Sequence, residues 1–92
     1  MKFEWDEVKA TANFAKHGVA FESVKDFDWD AAVVVVDSRR DYRESRLIAA
    51  STIRGRHHVL VYTQRGDTVR VISVRKANER EISKYEKAKS TI

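Results

Sequence analysis

The chain has 92 residues and a mass of 10.6 kDa, with 42% hydrophobic and 35% charged side chains. This balance fits one compact domain spanning residues 1–92 and excludes a largely disordered chain. The longest apolar run, residues 31–36, is far shorter than the ~20 residues that a membrane helix needs. The first residues do not show the basic and then apolar pattern of a secretory signal, so we do not expect secretion. The absence of cysteine excludes disulfides and thiolate metal sites. We therefore expect a cytoplasmic protein with no membrane attachment.

The net charge of +4 hides a division along the chain. Residues 1–37 carry a net charge of −4, whereas residues 38–92 carry +8 and contain every arginine. Such asymmetry indicates a polyanionic partner for one face, although a merely solvated basic surface explains it equally well.

The first third predicts two amino-terminal helices. Asp6 is suited to the N-cap of the first helix, and Gly18 is suited to its carboxyl end. A second, shorter helix is indicated by Phe21, Val24 and Phe27, which are spaced three residues apart.

The remainder predicts a four-stranded antiparallel meander followed by a carboxyl-terminal helix, an α+β fold. The β-branched run at 33–36 is typical of a strand buried on both faces. A polar loop over 37–45 carries Arg39, Arg40 and Arg43. The expected later elements are strands at 46–53, 57–63 and 68–75, and a helix at 77–89. Trp5 and Trp29 are expected to pack in the core, because a core this small needs large aromatic side chains.

The histidines do not predict a metal site. His57 and His58 are adjacent and point to opposite faces of a strand, while His17 stands alone. The sequence also lacks a Gly-x-Ser-x-Gly elbow and a glycine-rich phosphate loop. We expect neither a metal nor an organic cofactor.

The arginines of the sheet and last helix are the better candidates for chemistry. Strict alternation in the fourth strand places Arg75 on one face with Val69 and Val71, and Arg70 on the other face with Val74. Arg75 and Lys76 lie where this strand meets the last helix, and Arg65 lies at a hairpin tip where it could hold a phosphate. Arg65, Arg75 and Lys76 also have a simpler explanation, in which each is an exposed cation that only aids solubility.

RNA cleavage without a metal requires a base, a cation and an acid. His17 and Glu81 are the candidate proton-transfer groups, and Tyr85 could donate a proton or stack on a base. Arg65, Arg75 and Arg80 are candidate cations for the phosphate. Structural roles compete with each of these: His17 as the end of a helix, Tyr85 as a core residue, and Glu81 as an intrahelical partner of Lys84.

The chain resembles the BrnT family in two separated stretches. The first comprises Phe3-Glu4-Trp5-Asp6, Lys9, Asn13, Lys16-His17-Gly18-Val19 and Phe21-Glu22. The second comprises Tyr62-Thr63-x-Arg65-Gly66, Arg70-Val71-Ile72-Ser73-x-Arg75-Lys76-Ala77, Glu81 and Tyr85. Two departures stand out: Val74 replaces an expected Ala, and Asn78 replaces an expected Thr or Ser, so a hydroxyl role at position 78 is in doubt.

The resemblance implies a ribonuclease toxin of a type II toxin–antitoxin pair with a RelE-like fold. It implies a BrnA-like ribbon-helix-helix antitoxin that binds operator DNA, so that the toxin reaches DNA only through this partner. It places the basic functional residues at Arg65, Arg75 and the following helix, with Lys16 and His17 nearby.

The resulting hypothesis is a metal-independent endoribonuclease that cleaves RNA and stops translation. Its proposed catalytic residues are Arg65, Arg75, His17 and Glu81. Its proposed RNA contacts are Lys16, Arg70, Lys76, Arg80 and Tyr85. Two alternatives stay open: a non-catalytic module that binds nucleic acid, and an interaction protein whose basic face serves only an acidic antitoxin segment.

Overall fold

The computed structural model describes residues 1–38 and 44–90. Along the chain the elements are β1 (Lys2–Glu4), α1 (Glu7–His17), two 3-10 helices (Phe21–Asp26 and Trp29–Ala31), β2 (Val33–Asp37), β3 (Arg46–Ile53), β4 (Arg56–Arg65), β5 (Thr68–Lys76) and α2 (Glu79–Ser90). The expected α+β class is confirmed.

Helix α1 begins and ends at the expected residues. The Asp6 carboxylate accepts hydrogen bonds from the backbone N–H groups of Val8 and Lys9, which have no partner within the helix. Gly18 ends the helix with a φ of 71°, a left-handed conformation that side chains with a Cβ rarely adopt.

The second predicted helix is wrong in type. Residues Phe21–Asp26 form a 3-10 helix, and Trp29–Ala31 form another short one. The reason lies in the spacing of the apolar side chains. Residues three apart are aligned in a 3-10 helix, so Phe21 and Val24 are both fully buried on one side.

The sheet of the described residues has five strands in the order β1-β5-β4-β3-β2. The antiparallel meander from β2 to β5 is confirmed, but β1 was not predicted, and its parallel pairing with β5 makes the sheet mixed. Three residues are too few to show a periodic pattern. Phe3 nevertheless packs against the core and so fixes this strand.

The prediction that strand 33–36 is buried on both faces is wrong. Strand β2 lies at the edge of the sheet, and Val34, Val35 and Val36 are 44%, 54% and 63% exposed. β-Branched residues favour a strand but do not reveal whether it is central. The predicted loop at 37–45 begins one residue later, because Asp37 ends β2; its Arg39, Arg40 and Arg43 lie outside the described residues.

A bulge in β5 changes which side chains share a face. Val61 pairs with Ser73 and Tyr62 pairs with Val71, which leaves Ile72 without a partner on β4. The strict alternation expected from the sequence is therefore wrong beyond Ile72. Val69, Val71 and Val74 are all buried in the core, and Arg75 shares the opposite face with Arg70.

The core lies between one face of the sheet and the segment formed by α1 and the 3-10 helices. The expected packing of the two tryptophans is confirmed: Trp5 contacts Phe21 edge-on, and Trp29 contacts Phe27 and Tyr62. Asn13 joins α1 to β5, because its side-chain amide donates to the carbonyls of Val19 and Val74.

Helix α2 lies against the other face of the sheet. The Tyr85 ring contacts His57, and the Tyr85 hydroxyl donates to the Ala31 carbonyl at 2.7 Å. Asn78 and Glu81 form a reciprocal capping box at its amino terminus, with bonds of 3.0 and 2.8 Å. Within residues 1–38 and 44–90, no helix is long and apolar enough to cross a membrane.

Candidate functional site

A basic cavity of about 350 Å³ lies among side chains of α1, β3, β4 and β5; we call it the arginine cavity. The described residues that line it are Lys9, Glu44, Arg46, Thr63, Arg65, Arg70 and Ile72. Four of these seven side chains are cations, so the cavity favours an anion.

Strand register brings these side chains together. Thr63 lies opposite Arg70 across β4 and β5, and Arg70 lies opposite Glu4 across β5 and β1. Arg65 shares the face of Thr63 because it is two residues further along β4. Side chains from distant parts of the sequence therefore meet at one end of the sheet.

Two carboxylates hold the arginines of the cavity. Glu44 accepts two hydrogen bonds from Arg65, at 2.9 Å from Nε and 2.6 Å from Nη2. Glu4 accepts one from Arg65 at 3.3 Å and one from Arg70 at 3.0 Å. The hydrogen bonds from Arg65 lower the pKa of Glu44 below its ordinary value.

Thr63 lies in this cavity with an unused hydroxyl group. The residue is only 4% exposed, and its Oγ1 has no hydrogen-bond partner among the described residues. A buried hydroxyl without a partner is costly, and such exceptions call for an explanation such as a missing ligand. The Oγ1 atom is itself enclosed in this structure, so a phosphate oxygen in the cavity would accept a hydrogen bond from it only after the side chain rotates.

Arg75 and Glu81, two of the predicted catalytic residues, form a separate ion pair. Their two parallel hydrogen bonds are 2.8 and 2.7 Å long. These bonds and the capping bond from the Asn78 N–H lower the pKa of Glu81 to about 2. Such a carboxylate is a weak base. The partner of Glu81 is thus Arg75 from β5, whereas the sequence had offered Lys84.

The other predicted site residues are dispersed. His17 is half-buried at the end of α1, its imidazole forms no hydrogen bond or ion pair with the described residues, and Lys16 and Arg80 are exposed. Tyr85, a residue of α2, is half-buried and donates its hydroxyl hydrogen bond to the Ala31 carbonyl. Lys76 lines a second cavity, on the α1 side of the sheet. Of the predicted residues, the arginine cavity therefore contains Arg65 and Arg70.

The second cavity, which we call the histidine cavity, measures about 410 Å³. Its apolar lining includes Phe14, Val19 and Ile53. Its polar lining includes Arg54, Arg56, His58 and Lys76. His58 and Arg65 are seven residues apart on β4, which separates these two residues by roughly 23 Å along the strand.

Sequence reasoning did not select several residues of the arginine cavity, namely Lys9, Glu44, Arg46 and Thr63. The sequence does point to Thr63, because it lies two residues before Arg65 and side chains two residues apart in a strand share a face. Arg46 required the pairing of β3 with β4, in which Leu47 lies opposite Tyr62. Glu44 lies next to the undescribed residues, and its sequence position carries no periodic signal.

Comparison with known proteins gives one informative result. Residues 5–81 match the family described as "Ribonuclease toxin, BrnT, of type II toxin-antitoxin system". No curated protein matches the chain closely enough to count as a relative. The match covers most of the 92 residues and includes the β4 and β5 residues of the arginine cavity. The chain therefore belongs to the BrnT family of ribonuclease toxins of type II toxin–antitoxin systems.

Proposed function

We propose that this protein is an endoribonuclease that needs no metal ion and that it binds the scissile RNA phosphate in the arginine cavity. The observation that carries the proposal is the cluster of cationic side chains, Lys9, Arg65 and Arg70 among them, that line one cavity. Guanidinium groups match phosphate oxygens in shape and charge, and the Thr63 hydroxyl supplies a further donor once its side chain rotates toward the ligand.

The reaction proceeds by attack of the ribose 2′-oxygen on the adjacent phosphorus. An O2′–P bond forms, the P–O5′ bond breaks, and the products are a 2′,3′-cyclic phosphate and a 5′-hydroxyl. Negative charge develops on the non-bridging oxygens in the transition state, where Arg65 and Arg70 stabilise it.

Proton transfer is assigned to side chains that line the cavity. Glu44 takes the 2′-hydroxyl proton, because it is the one carboxylate among the described lining residues. The Lys9 ammonium group donates a proton to the leaving 5′-oxygen. Glu81 is a poorer choice of base because it does not line the arginine cavity and accepts a further hydrogen bond from the Asn78 N–H.

The remaining predicted residues have supporting roles in this proposal. The Arg75–Glu81 pair fixes the start of α2 to β5, and His17 closes α1. Lys16, Lys76, Arg80 and Tyr85 contact the RNA outside the arginine cavity, in the basic part of the chain.

The proposed physiological role is inhibition of translation by RNA cleavage in the cytoplasm. The partner is a ribbon-helix-helix antitoxin of the BrnA type, which also carries the complex to operator DNA. An acidic antitoxin segment covers the arginine cavity by the same charge complementarity that attracts RNA.

A second candidate function is binding of acidic protein segments without catalysis. The contact that favours it is the Arg65 guanidinium, which already holds two carboxylates in a geometry that a partner's Asp or Glu could reproduce. Purified protein that binds an antitoxin but leaves RNA intact would support this alternative.

Controlled expression with and without the antitoxin gene tests the proposed role. The toxin alone should arrest growth and fragment cellular RNA within minutes, and co-expression of the antitoxin should prevent both effects. The variant Arg65→Ala should be harmless when expressed alone. Growth arrest by this variant at the wild-type level would contradict the proposed site.

A further inference from the structure

The histidine cavity contains a buried imidazole with one unused nitrogen. His58 is 6% exposed, and its Nδ1 lies 2.7 Å from the backbone carbonyl oxygen of Arg56. A carbonyl oxygen only accepts hydrogen bonds, so Nδ1 carries the proton and Nε2 is left as an acceptor. Nε2 has no partner among residues 1–38 and 44–90, and it is not one of the fully enclosed atoms, so it is open to the cavity.

Cations border the same cavity. Lys76 lies opposite His58 across β4 and β5, and Arg56 lies two residues before His58 on the same strand. Both side chains are exposed, and neither forms an ion pair with the described residues. Arg54, in contrast, is held by Asp26 at 2.8 Å. Two cations are thus available to an anionic group beside the imidazole.

An exposed aromatic ring completes the lining. Phe14 on α1 is 57% exposed, although large apolar side chains are usually buried. A ring in this position offers a stacking surface for a planar group, and nucleobases stack on such rings without regard to sequence.

We infer that the histidine cavity is a nucleotide-binding subsite that recognises ribose, remote from the arginine cavity. The phosphate lies on Arg56 and Lys76, the base stacks on Phe14, and the 2′-hydroxyl donates to Nε2 of His58. The carboxylates of an acidic peptide would satisfy the cations, but they offer no proton to Nε2. A ribonucleotide supplies acceptors, a donor and an aromatic face at once.

The inference rests on the proposal that RNA is the substrate, and it adds a second contact to the strand. His58 and Arg65 lie on opposite faces of the sheet, roughly 23 Å apart along β4. An RNA that contacts both must therefore pass around the edge of the sheet over several nucleotides. The histidine cavity holds a part of the strand that is not cleaved and selects RNA over DNA there.

Calorimetric titration with adenosine 3′-monophosphate and its 2′-deoxy analogue tests the inference, since neither nucleotide has a bond to cleave by this reaction. Wild-type protein should bind the ribonucleotide about three- to tenfold more tightly, which is the effect of one hydrogen bond. His58→Asn keeps a donor for the Arg56 carbonyl but removes the Nε2 acceptor. It should bind the two nucleotides equally.

Two further variants separate recognition from folding. His57→Asn replaces the neighbouring histidine, which points to the opposite face, and should keep the wild-type preference. Phe14→Ala replaces an exposed side chain and should weaken the binding of both nucleotides about tenfold. If His58→Asn does not fold, the weaker nucleotide binding expected for Phe14→Ala tests the subsite instead.

Two results would overturn the inference: equal wild-type affinity for the two nucleotides, or an unchanged preference in His58→Asn. Binding of a hexaglutamate peptide that depends on Phe14, with no nucleotide binding, would identify a protein-docking site and also overturn it. The proposed function fails separately, by the persistence of RNA cleavage in Arg65→Ala.

Discussion

Glu44 binds the guanidinium group of Arg65 through two hydrogen bonds, Nε to Oε2 at 2.9 Å and Nη2 to Oε1 at 2.6 Å. This is the two-point geometry with which arginine also binds a phosphate. An RNA phosphate that enters the arginine cavity must therefore share Arg65 with Glu44 or displace it. The carboxylate is both a competitor for the cation and the proposed base.

Glu44→Gln should separate these two roles. The neutral side chain no longer competes as an anion, so RNA binding should become about two- to fivefold tighter. Loss of the proton acceptor should slow cleavage by about 100-fold. Binding to a non-cleavable 2′-O-methyl RNA and single-turnover cleavage of ordinary RNA measure the two effects. Glu22→Gln, an exposed change on the first 3-10 helix, is the control; faster cleavage by Glu44→Gln would contradict the assignment.

Thr63→Val should improve folding and impair binding. The substitution keeps the side-chain shape and removes the buried hydroxyl that has no partner, so the free energy of unfolding should rise by up to about 1 kcal/mol. Affinity for RNA should fall by about three- to tenfold, because the phosphate loses a donor. Urea denaturation and RNA binding are measured on the same samples.

Thr63→Ser is the matched control for this change. It retains the hydroxyl but removes a methyl group, so it should keep RNA affinity and lose a little stability. Unchanged RNA binding in Thr63→Val would show that the hydroxyl does not contact the ligand.

The Arg75–Glu81 ion pair should stabilise the folded protein by an amount that depends on pH. The pKa of Glu81 in the folded protein is about 2, below its ordinary value of 4.5. The ionised carboxylate therefore stabilises the fold above pH 4.5, and this contribution is lost as the pH falls toward 2. Glu81→Gln should reduce the free energy of unfolding by about 1–2 kcal/mol at pH 7.

Urea denaturation of wild type and Glu81→Gln over this pH range measures the effect. The difference between the two proteins should shrink steadily between pH 4.5 and pH 2. A difference that stays constant with pH would mean that the ion pair does not stabilise the fold.

Replacement of Asn13 should cause the largest loss of stability among these substitutions. Its buried amide donates to the carbonyls of Val19 and Val74 at 3.0 and 2.8 Å and accepts from the Val74 N–H at 3.3 Å. Asn13→Ala leaves these backbone groups without the partner, so the free energy of unfolding should fall by about 2–4 kcal/mol. Thr11→Ala, an exposed change on the same helix, should cost much less. Equal urea midpoints for Asn13→Ala and wild type would contradict this role.

Local signals in the sequence were sufficient for α1 and for the meander. Asp6 and Gly18 mark the ends of α1 by their own conformational preferences, and alternation marks β3 and β4. The position of a strand within the sheet is not a local property, which is why Val34 to Val36 were expected to be buried. The bulge at Ile72 arises from pairing with β4, so strict alternation placed Arg70 and Arg75 on opposite faces.

The candidate site was only partly predictable for the same reason. Arg65 and Arg70 could be chosen from residue type and strand position. The contributions of Lys9, Glu44 and Arg46 depend on contacts between distant parts of the chain. Glu81 was a reasonable candidate as a base until its bonds to Arg75 and to the Asn78 N–H became visible.

The most direct test of the central claim is cleavage of a short RNA by the purified protein in the presence of EDTA. Wild type should produce 2′,3′-cyclic phosphate and 5′-hydroxyl ends, and Lys25→Ala, an exposed control, should match it. Arg65→Ala and Arg65→Lys should both cleave at least about 100-fold more slowly, because neither retains the guanidinium fork. Wild-type rates in both Arg65 variants, or no cleavage by wild type once EDTA is present, would contradict the account.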